Sequence, residues 1–191
     1  MYLTLCTYED YLSYLKGREI SIENFKPRKD WKNGLEKELG NGFEVLLPSM
    51  PNKANARYEE WKIWFERMMP FLDDRVIFVG HSLGGTFLAK YFSENIFPKK
   101  IKAVLLVAAP FDEESGREAL VGFSLPLSME KFIAQAGEIY LFYSRDDPVV
   151  SFGELNKYRK VLLNAKTLVF KDKQHFNQEI FPEIVNLIRQ L

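Results

Sequence analysis

From residue 43 onward the chain alternates between two hydrophobic rhythms. Short apolar or β-branched runs stand at Phe43–Leu47, Val76–Val79, Ala103–Ala109, Ile139–Tyr143 and Thr167–Phe170. Runs of this length, bounded by turn residues, read as strands. Between them, apolar residues recur every three or four positions, the period of a helix with one buried face. Trp61, Trp64, Phe65 and Met68 mark such a face over 57–69, which Pro70 closes. Further helices are predicted over 83–95 and 129–135, around Leu155, Tyr158 and Leu162, and around Phe181, Ile184, Val185 and Ile188. Ser151 and Glu154 have the spacing of a capping box at the third of these.

Upstream, Trp31, Leu35 and Leu39 predict a helix that stops near Gly40, and Ile20-Ser21-Ile22 a short strand. Residues 1–19 read as a helical preface, with Tyr8, Tyr11, Leu12 and Leu15 on one face and Gly17 just past its end. Thr7 and Asp10 give it a capping-box start. The preface is expected to cover a sheet edge, to lean over the active site, or to pair with a second copy in a homo-oligomer.

Strands that alternate with helices predict an α/β fold. It is a doubly wound, mostly parallel sheet of about six strands, with helices on both faces and right-handed crossovers. The run at 103–109 has no polar position, as expected of a strand buried on both faces. The length of 191 residues fits one domain, residues 1–191, with no insertion long enough for a lid domain.

Charge narrows the partners. Lys plus Arg and Asp plus Glu each total 26, so no basic excess points to nucleic acid or an anionic membrane. No apolar run approaches the ~20 residues that cross a bilayer. No basic region followed by an apolar stretch marks a signal peptide. Cys6 is the one cysteine, which rules out an intrachain disulfide and leads us to expect a cytoplasmic, reducing compartment.

The candidate chemistry sits where the second long strand meets its helix, at Gly80-His81-Ser82-Leu83-Gly84. Gly-x-Ser-x-Gly arises by chance in on the order of 0.05 of chains this long. The required context, a strand directly before and a helix directly after, is present. A sharp turn there holds the serine in a strained conformation, and the flanking glycines are expected to remove the clashes. Ser82 is the candidate nucleophile. Leu83, at the helix N-terminus, offers an N–H to a developing oxyanion. The bland alternative is an ordinary Gly/Ser loop.

A serine nucleophile needs a base, and the base a carboxylate. Of two histidines, His81 is adjacent to Ser82 on a sharp turn and points away, which gives it a structural role. His175, in a polar loop between the last strand and the last helix, is the candidate base. The acid follows the 139–143 strand, where Asp146 and Asp147 stand side by side. Asp147 is preferred because Pro148-Val149-Val150 fixes its turn, while Asp146 caps or solvates it.

"GHSLGG", "SRDDPVV" and "HF", in this order, resemble the α/β-hydrolase superfamily. With "FEVLLPSMPN" and "RYEEWKIWF", the chain is similar to the compact serine hydrolases related to retinoblastoma-binding protein 9. The likeness runs over roughly residues 20–190. It implies a triad of Ser82, Asp147 and His175, a carboxylesterase-like activity on a small-molecule acyl substrate, and no metal or organic cofactor. Where that family carries His-Gly after its first core strand, this chain has Glu23-Asn24, with Phe25 at the place of the second oxyanion donor, so the resemblance implies that Phe25 or Asn24 supplies that N–H. The Glu23 carboxylate is then expected to point away from the pocket, toward Lys26, Arg28 or Lys29. Residues 24–30 and 111–137 are expected to line that pocket, with Phe25, Phe111 and Phe123 making it apolar.

The leading expectation is thus a serine hydrolase that acts on a small ester, thioester or activated amide. The competing expectation is a binding or scaffold protein on the same fold with a degraded oxyanion hole. An acyltransferase would share the acyl-enzyme and differ in its acceptor.

Overall fold

An unbroken apolar run becomes the middle of the sheet. In the computed structural model, which describes residues 7–26, 29–112 and 122–191 and of Glu23 the backbone alone, four parallel strands lie in the order β1-β2-β3-β4. They are β1 (Val76–His81), β2 (Ile101–Val107), β3 (Glu138–Ser144) and β4 (Lys166–Phe170). Successive side chains of a strand leave on opposite faces. In β2, Val104 and Leu106 therefore enter one core, while Ala103, Leu105 and Val107 enter the other.

The α-helices of the described residues are α1 (Tyr8–Gly17), α2 (Trp31–Leu39), α3 (Tyr58–Met68), α4 (Leu83–Glu94), α5 (Glu130–Gln135), α6 (Gly153–Val161) and α7 (Pro182–Gln190). The stripes of α3, α4, α5 and α6 close the first core, and those of α2 and α7 the second. Helices on both faces of a parallel sheet make the doubly wound α/β arrangement that the hydrophobic rhythm predicts.

Among the described residues the sheet has four strands, where about six were expected. Ile20-Ser21-Ile22 does not pair. Asn24 accepts from Ser21 N at 2.7 Å and donates its own N–H to Ser21 O at 3.0 Å, which closes a 3-10 turn over Ile22–Phe25. Such local Ser/Asn bonds compete with strand pairing. Ile20 and Ile22 stay 66% and 70% exposed. Residues 43–47 keep a strand's period, with Phe43 and Val45 half-buried against the second core and Glu44 and Leu46 exposed, yet no ladder joins them to the sheet.

Three smaller expectations also change. Trp64 is exposed, and Tyr58 takes a place on the buried face of α3. Phe123 lies in the core, edge-on to Trp61 at 5.2 Å, rather than in a pocket. Ser151 and Glu154 form no reciprocal cap. Glu154 is drawn inward by stronger partners, described below, and Ser151 Oγ accepts from Gly153 N instead. The capping box of Thr7 and Asp10 is present, and α1 buries none of its residues.

Candidate active site

The turn from β1 into α4 is forced into one shape. Ser82 has φ 54 and ψ −129, a region that costs a non-glycine residue roughly 1–3 kcal/mol. The turn is over-determined around it. Ser82 N donates to Val107 O at 2.8 Å, and Gly85 N donates back to Ser82 O at 2.8 Å. A Cβ on Gly80 would stand 2.6 Å from Gly84 O, and one on Gly85 would stand 2.6 Å from Ala109 Cβ. A Cβ on Gly84 would meet nothing within 4 Å. The steric glycines are therefore Gly80 and Gly85. The flanking pair of the motif is only half responsible.

Leu83 and Gly84 occupy the first helical positions of α4, where N–H groups have no intrahelical acceptor. They sit at the positive end of the helix, beside Ser82. Leu83 keeps its side chain buried in the core, so its backbone is fixed.

Asp147 and His175 are brought together from loops 28 residues apart. His175 Nδ1 lies 2.9 Å from Asp147 Oδ2 and 3.2 Å from Oδ1. Asp147 Oδ1 also accepts from Val149 N at 2.8 Å and Val150 N at 2.9 Å, and its side chain is 1% exposed. Three donors on one enclosed carboxylate fix its orientation. Asp146 does not reach the histidine. Its Oδ1 accepts from Ser144 Oγ at 2.5 Å and Gln174 N at 3.0 Å, and the Ser144 hydroxyl holds its carboxyl below the usual range.

His175 sits on a loop that two other side chains clamp. His81 Nε2–H donates to His175 O at 2.7 Å, and the two rings lie 4.9 Å apart. Trp31 Nε1–H donates to Phe176 O at 2.8 Å. Gln174 and Phe176, on either side of the base, have φ 46 and 51. Left-handed backbone on both sides of one residue persists only when the surroundings impose it. Burial pushes the His81 pKa down to about 3, so its ring is neutral and one nitrogen keeps its proton for the carbonyl. The structural role expected of His81 is thus specific, because it holds the base's backbone.

Ser82 and His175 are 7% and 8% exposed. Among the described residues the Ser82 hydroxyl makes no hydrogen bond, so the serine–histidine contact is open in this structure. Such contacts are often loose without ligand.

The loop after β2 forms another wall and is tied down by groups that sequence reasoning missed. Pro110 O accepts from Thr86 Oγ1 at 2.6 Å and Tyr158 OH at 3.2 Å, and Ala109 O from Tyr143 OH at 2.5 Å. Glu154, 1% exposed, accepts from Phe111 N at 2.6 Å and Asp112 N at 3.1 Å, and pairs with Lys157 at 3.1 Å. A Glu one turn into a helix gave a capping signal; only its burial reveals this other work. Phe111 packs edge-on to Tyr158 at 4.9 Å.

Phe25 stands at the end of the Ile22–Phe25 turn with its ring 70% exposed. Among the described residues no hydrogen bond or ring contact joins it to Ser82. The side chain of Glu23, Arg28 as its expected partner, and residues 113–121 of the expected pocket lining all lie outside the described residues. Among those described, no helix is long and apolar enough to cross a membrane.

The chain and its fold have counterparts among known proteins. The chain is 28% identical over 165 residues to serine hydrolase RBBP9 of Rattus norvegicus, which covers 84% of this chain and 86% of the rat protein. The ydeN gene product of B. subtilis superposes with a TM-score of 0.74 at 19% identity, over 84% of this chain and 89% of its own. The esterase domain of a Rhodothermus marinus protein superposes with a TM-score of 0.52 at 16% identity, over 70% of this chain and 65% of its own. At such identities these structures show the shared fold. The serine hydrolase family model matches residues 23–183, most of the chain, and on that match the chain belongs to the serine hydrolase family.

Proposed function

We propose that this chain cleaves a small ester, thioester or activated amide through an acyl-enzyme on Ser82. The observation that carries the reading is the Asp147–His175 pair, hydrogen-bonded at 2.9 Å at the sheet edge where Ser82 sits on its strained turn. In this reading His175 Nε2 takes the Ser82 hydroxyl proton as Oγ attacks the carbonyl carbon. Leu83 N–H, with Phe25 N–H as the second donor that the family resemblance implies, stabilises the oxyanion. The leaving group departs with the proton from His175. A water then deprotonated by His175 attacks the acyl carbon and restores Ser82. Asp147 keeps the imidazole oriented and stabilises its protonated form.

Labelling with a fluorophosphonate and hydrolysis of an ester series graded by acyl length test this reading. Wild-type protein is expected to label and to turn over short acyl esters, and Ser82→Ala to do neither. Folded wild-type protein that does not label would sink the proposal. It would favour a binding or scaffold role, the reading supported by Glu23-Asn24 in place of His-Gly and by the exposed Phe25 turn.

A further inference from the structure

Asp147 and His175 meet through their side chains, but each is carried by a different loop. Asp147 is fixed on its own loop by Val149 N–H and Val150 N–H. Backbone bonding between β3 and β4 runs out at Arg145 N–H to Phe170 O, 2.9 Å, before either residue is reached. Other contacts must therefore set where the base arrives along the acid's loop. The tolerance is small, since a misplacement of ~1 Å can cost ~100-fold in rate.

Two side chains outside the triad join the loops at this point. Lys173 N–H donates to Ser144 Oγ at 3.1 Å, and Gln174 N–H donates to Asp146 Oδ1 at 3.0 Å. The Ser144 hydroxyl donates in turn to the same Asp146 oxygen at 2.5 Å. Ser144 is 1% exposed, so its hydroxyl must find its partners inside the protein, and here it accepts and donates at once. The acceptors are the last residue of β3 and the residue before the acid. The donors are the two consecutive amides just ahead of the base. Two neighbouring amides caught by one hydrogen-bonded pair fix the direction of the chain as well as its position.

The strain in the loop falls at the same place. Gln174, whose amide Asp146 holds, has φ 46, a left-handed value that a non-glycine residue keeps only when its surroundings impose it. Phe176 N–H then closes the turn on Lys173 O at 2.9 Å. The remaining anchors act elsewhere. His81 and Trp31 hold the carbonyls of His175 and Phe176, and the Lys173 side chain pairs with Glu183 at 2.8 Å. None of these three contacts involves the loop that carries Asp147.

We propose that Ser144 and Asp146 are positioning residues, which set the register of the base's loop on the acid's loop and so place His175 Nδ1 against Asp147. The aspartate outside the triad acts on the reaction through the one inside it. This role rests on the reading of His175 as the base, whereas the placement itself can be measured without turnover.

Asp146→Ala should lower kcat on an ester by ~30–100-fold while KM changes less than ~3-fold. Asp146→Asn keeps an acceptor for both donors and should recover to within ~10-fold of wild type. Ser144→Ala should lower kcat in the same direction as Asp146→Ala. The Asp147→Asn background separates positioning from general stability. There the acid is already lost, so adding Asp146→Ala should cost less than ~3-fold more. An equal factor in both backgrounds would mark a merely structural role and overturn the proposal. The low-field proton resonance of His175 Nδ1–H should be present in wild type and Asp146→Asn, and broaden or move upfield in Asp146→Ala. An unmoved resonance in Asp146→Ala would overturn the proposal as well. Wild-type protein that shows this NMR pattern yet turns over no ester would sink the hydrolase reading and leave the placement standing. If Asp146→Ala does not fold, the unaltered chain decides. Its Gln174 amide should exchange at least ~100-fold more slowly than in the urea-unfolded chain, and equal rates would overturn the proposal.

Discussion

His81 Nε2–H and the carbonyl oxygen of His175 are 2.7 Å apart, so the residue beside the nucleophile holds the backbone of the base. The ring is neutral because burial pushes its pKa from 6.5 down to about 3. The unfolded chain therefore binds more protons at this site than the folded one between pH 6.5 and 3. The stabilisation is complete above pH 6.5 and is lost as pH falls through that window, with a slope of up to ~1.4 kcal/mol per pH unit. Urea unfolding at a series of pH values should show this slope in wild-type protein and lose it in His81→Phe. The same variant should lower kcat more than fluorophosphonate binding, because the serine survives while the His175 loop loses a clamp. An unchanged pH slope in His81→Phe would remove His81 from this role.

The paired aspartates should separate cleanly. Asp147→Asn leaves His175 Nδ1–H facing an amide, and losses up to ~10⁴-fold are known when a triad carboxylate is so replaced. Asp146→Asn keeps an oxygen for Ser144 Oγ and Gln174 N and should cost less than ~10-fold, on the scale of one neutral hydrogen bond exchanged for a charged one. Initial rates on one ester with both variants check the ranking, and equal losses would contradict the assignment.

The glycines of the turn make a prediction that the motif alone would reverse. Gly84→Ala should fold and function nearly as wild type, since its Cβ meets nothing within 4 Å. Gly85→Ala should lose ~1–3 kcal/mol through overpacking against Ala109. Gly80→Ala should be at least as damaging, because its Cβ strikes backbone. Denaturant midpoints for the three variants give the order.

Glu154→Gln should weaken the loop after β2. The amide still accepts from Phe111 N and Asp112 N, but the charge that strengthens those bonds and pairs with Lys157 is gone. A loss of ~1–3 kcal/mol is expected for hydrogen bonds to a charged group. Ester selectivity should also shift, since this loop borders Ser82. A variant with wild-type stability and an unchanged acyl-length profile would show that the loop is held by Thr86, Tyr143 and Tyr158 alone.

Oxyanion donors can be counted by comparing labelling with turnover. If Leu83 N–H acts alone, ester turnover should fall ~10²–10³-fold below that of a two-donor site. Phe25→Pro removes the candidate second N–H. Turnover unaffected by that change would show that Phe25 does not contribute.

Whatever depends on neighbours along the chain was legible in the residues alone. Apolar periods reported the four paired strands and the helices over them, because burying one face of an element is a local pattern. The serine turn was legible for the same reason, as a strand, a turn and a helix in contiguous residues. The order of Ser82, Asp147 and His175 pointed to three loops at one sheet edge, since parallel strands deliver their following loops to the same side. Packing in three dimensions settled the rest. Ile20-Ser21-Ile22 has strand composition, yet Asn24 closes it into a turn; a Ser/Asn bond of three residues' span forms before any partner strand is needed. Gly85, not Gly84, faces Ala109, and that contact is set by the distance between α4 and β2. Glu154 looks like a cap in sequence and becomes a buried anchor because the Phe111 and Asp112 N–H groups meet it across 42 or 43 residues. His81 reads only as structural in the sequence, and what it holds becomes visible once the carbonyl of His175, 94 residues away, accepts its ring N–H. Contacts of that separation leave no periodicity in the chain, because they are fixed by how helices pack on the sheet and not by the spacing of residues.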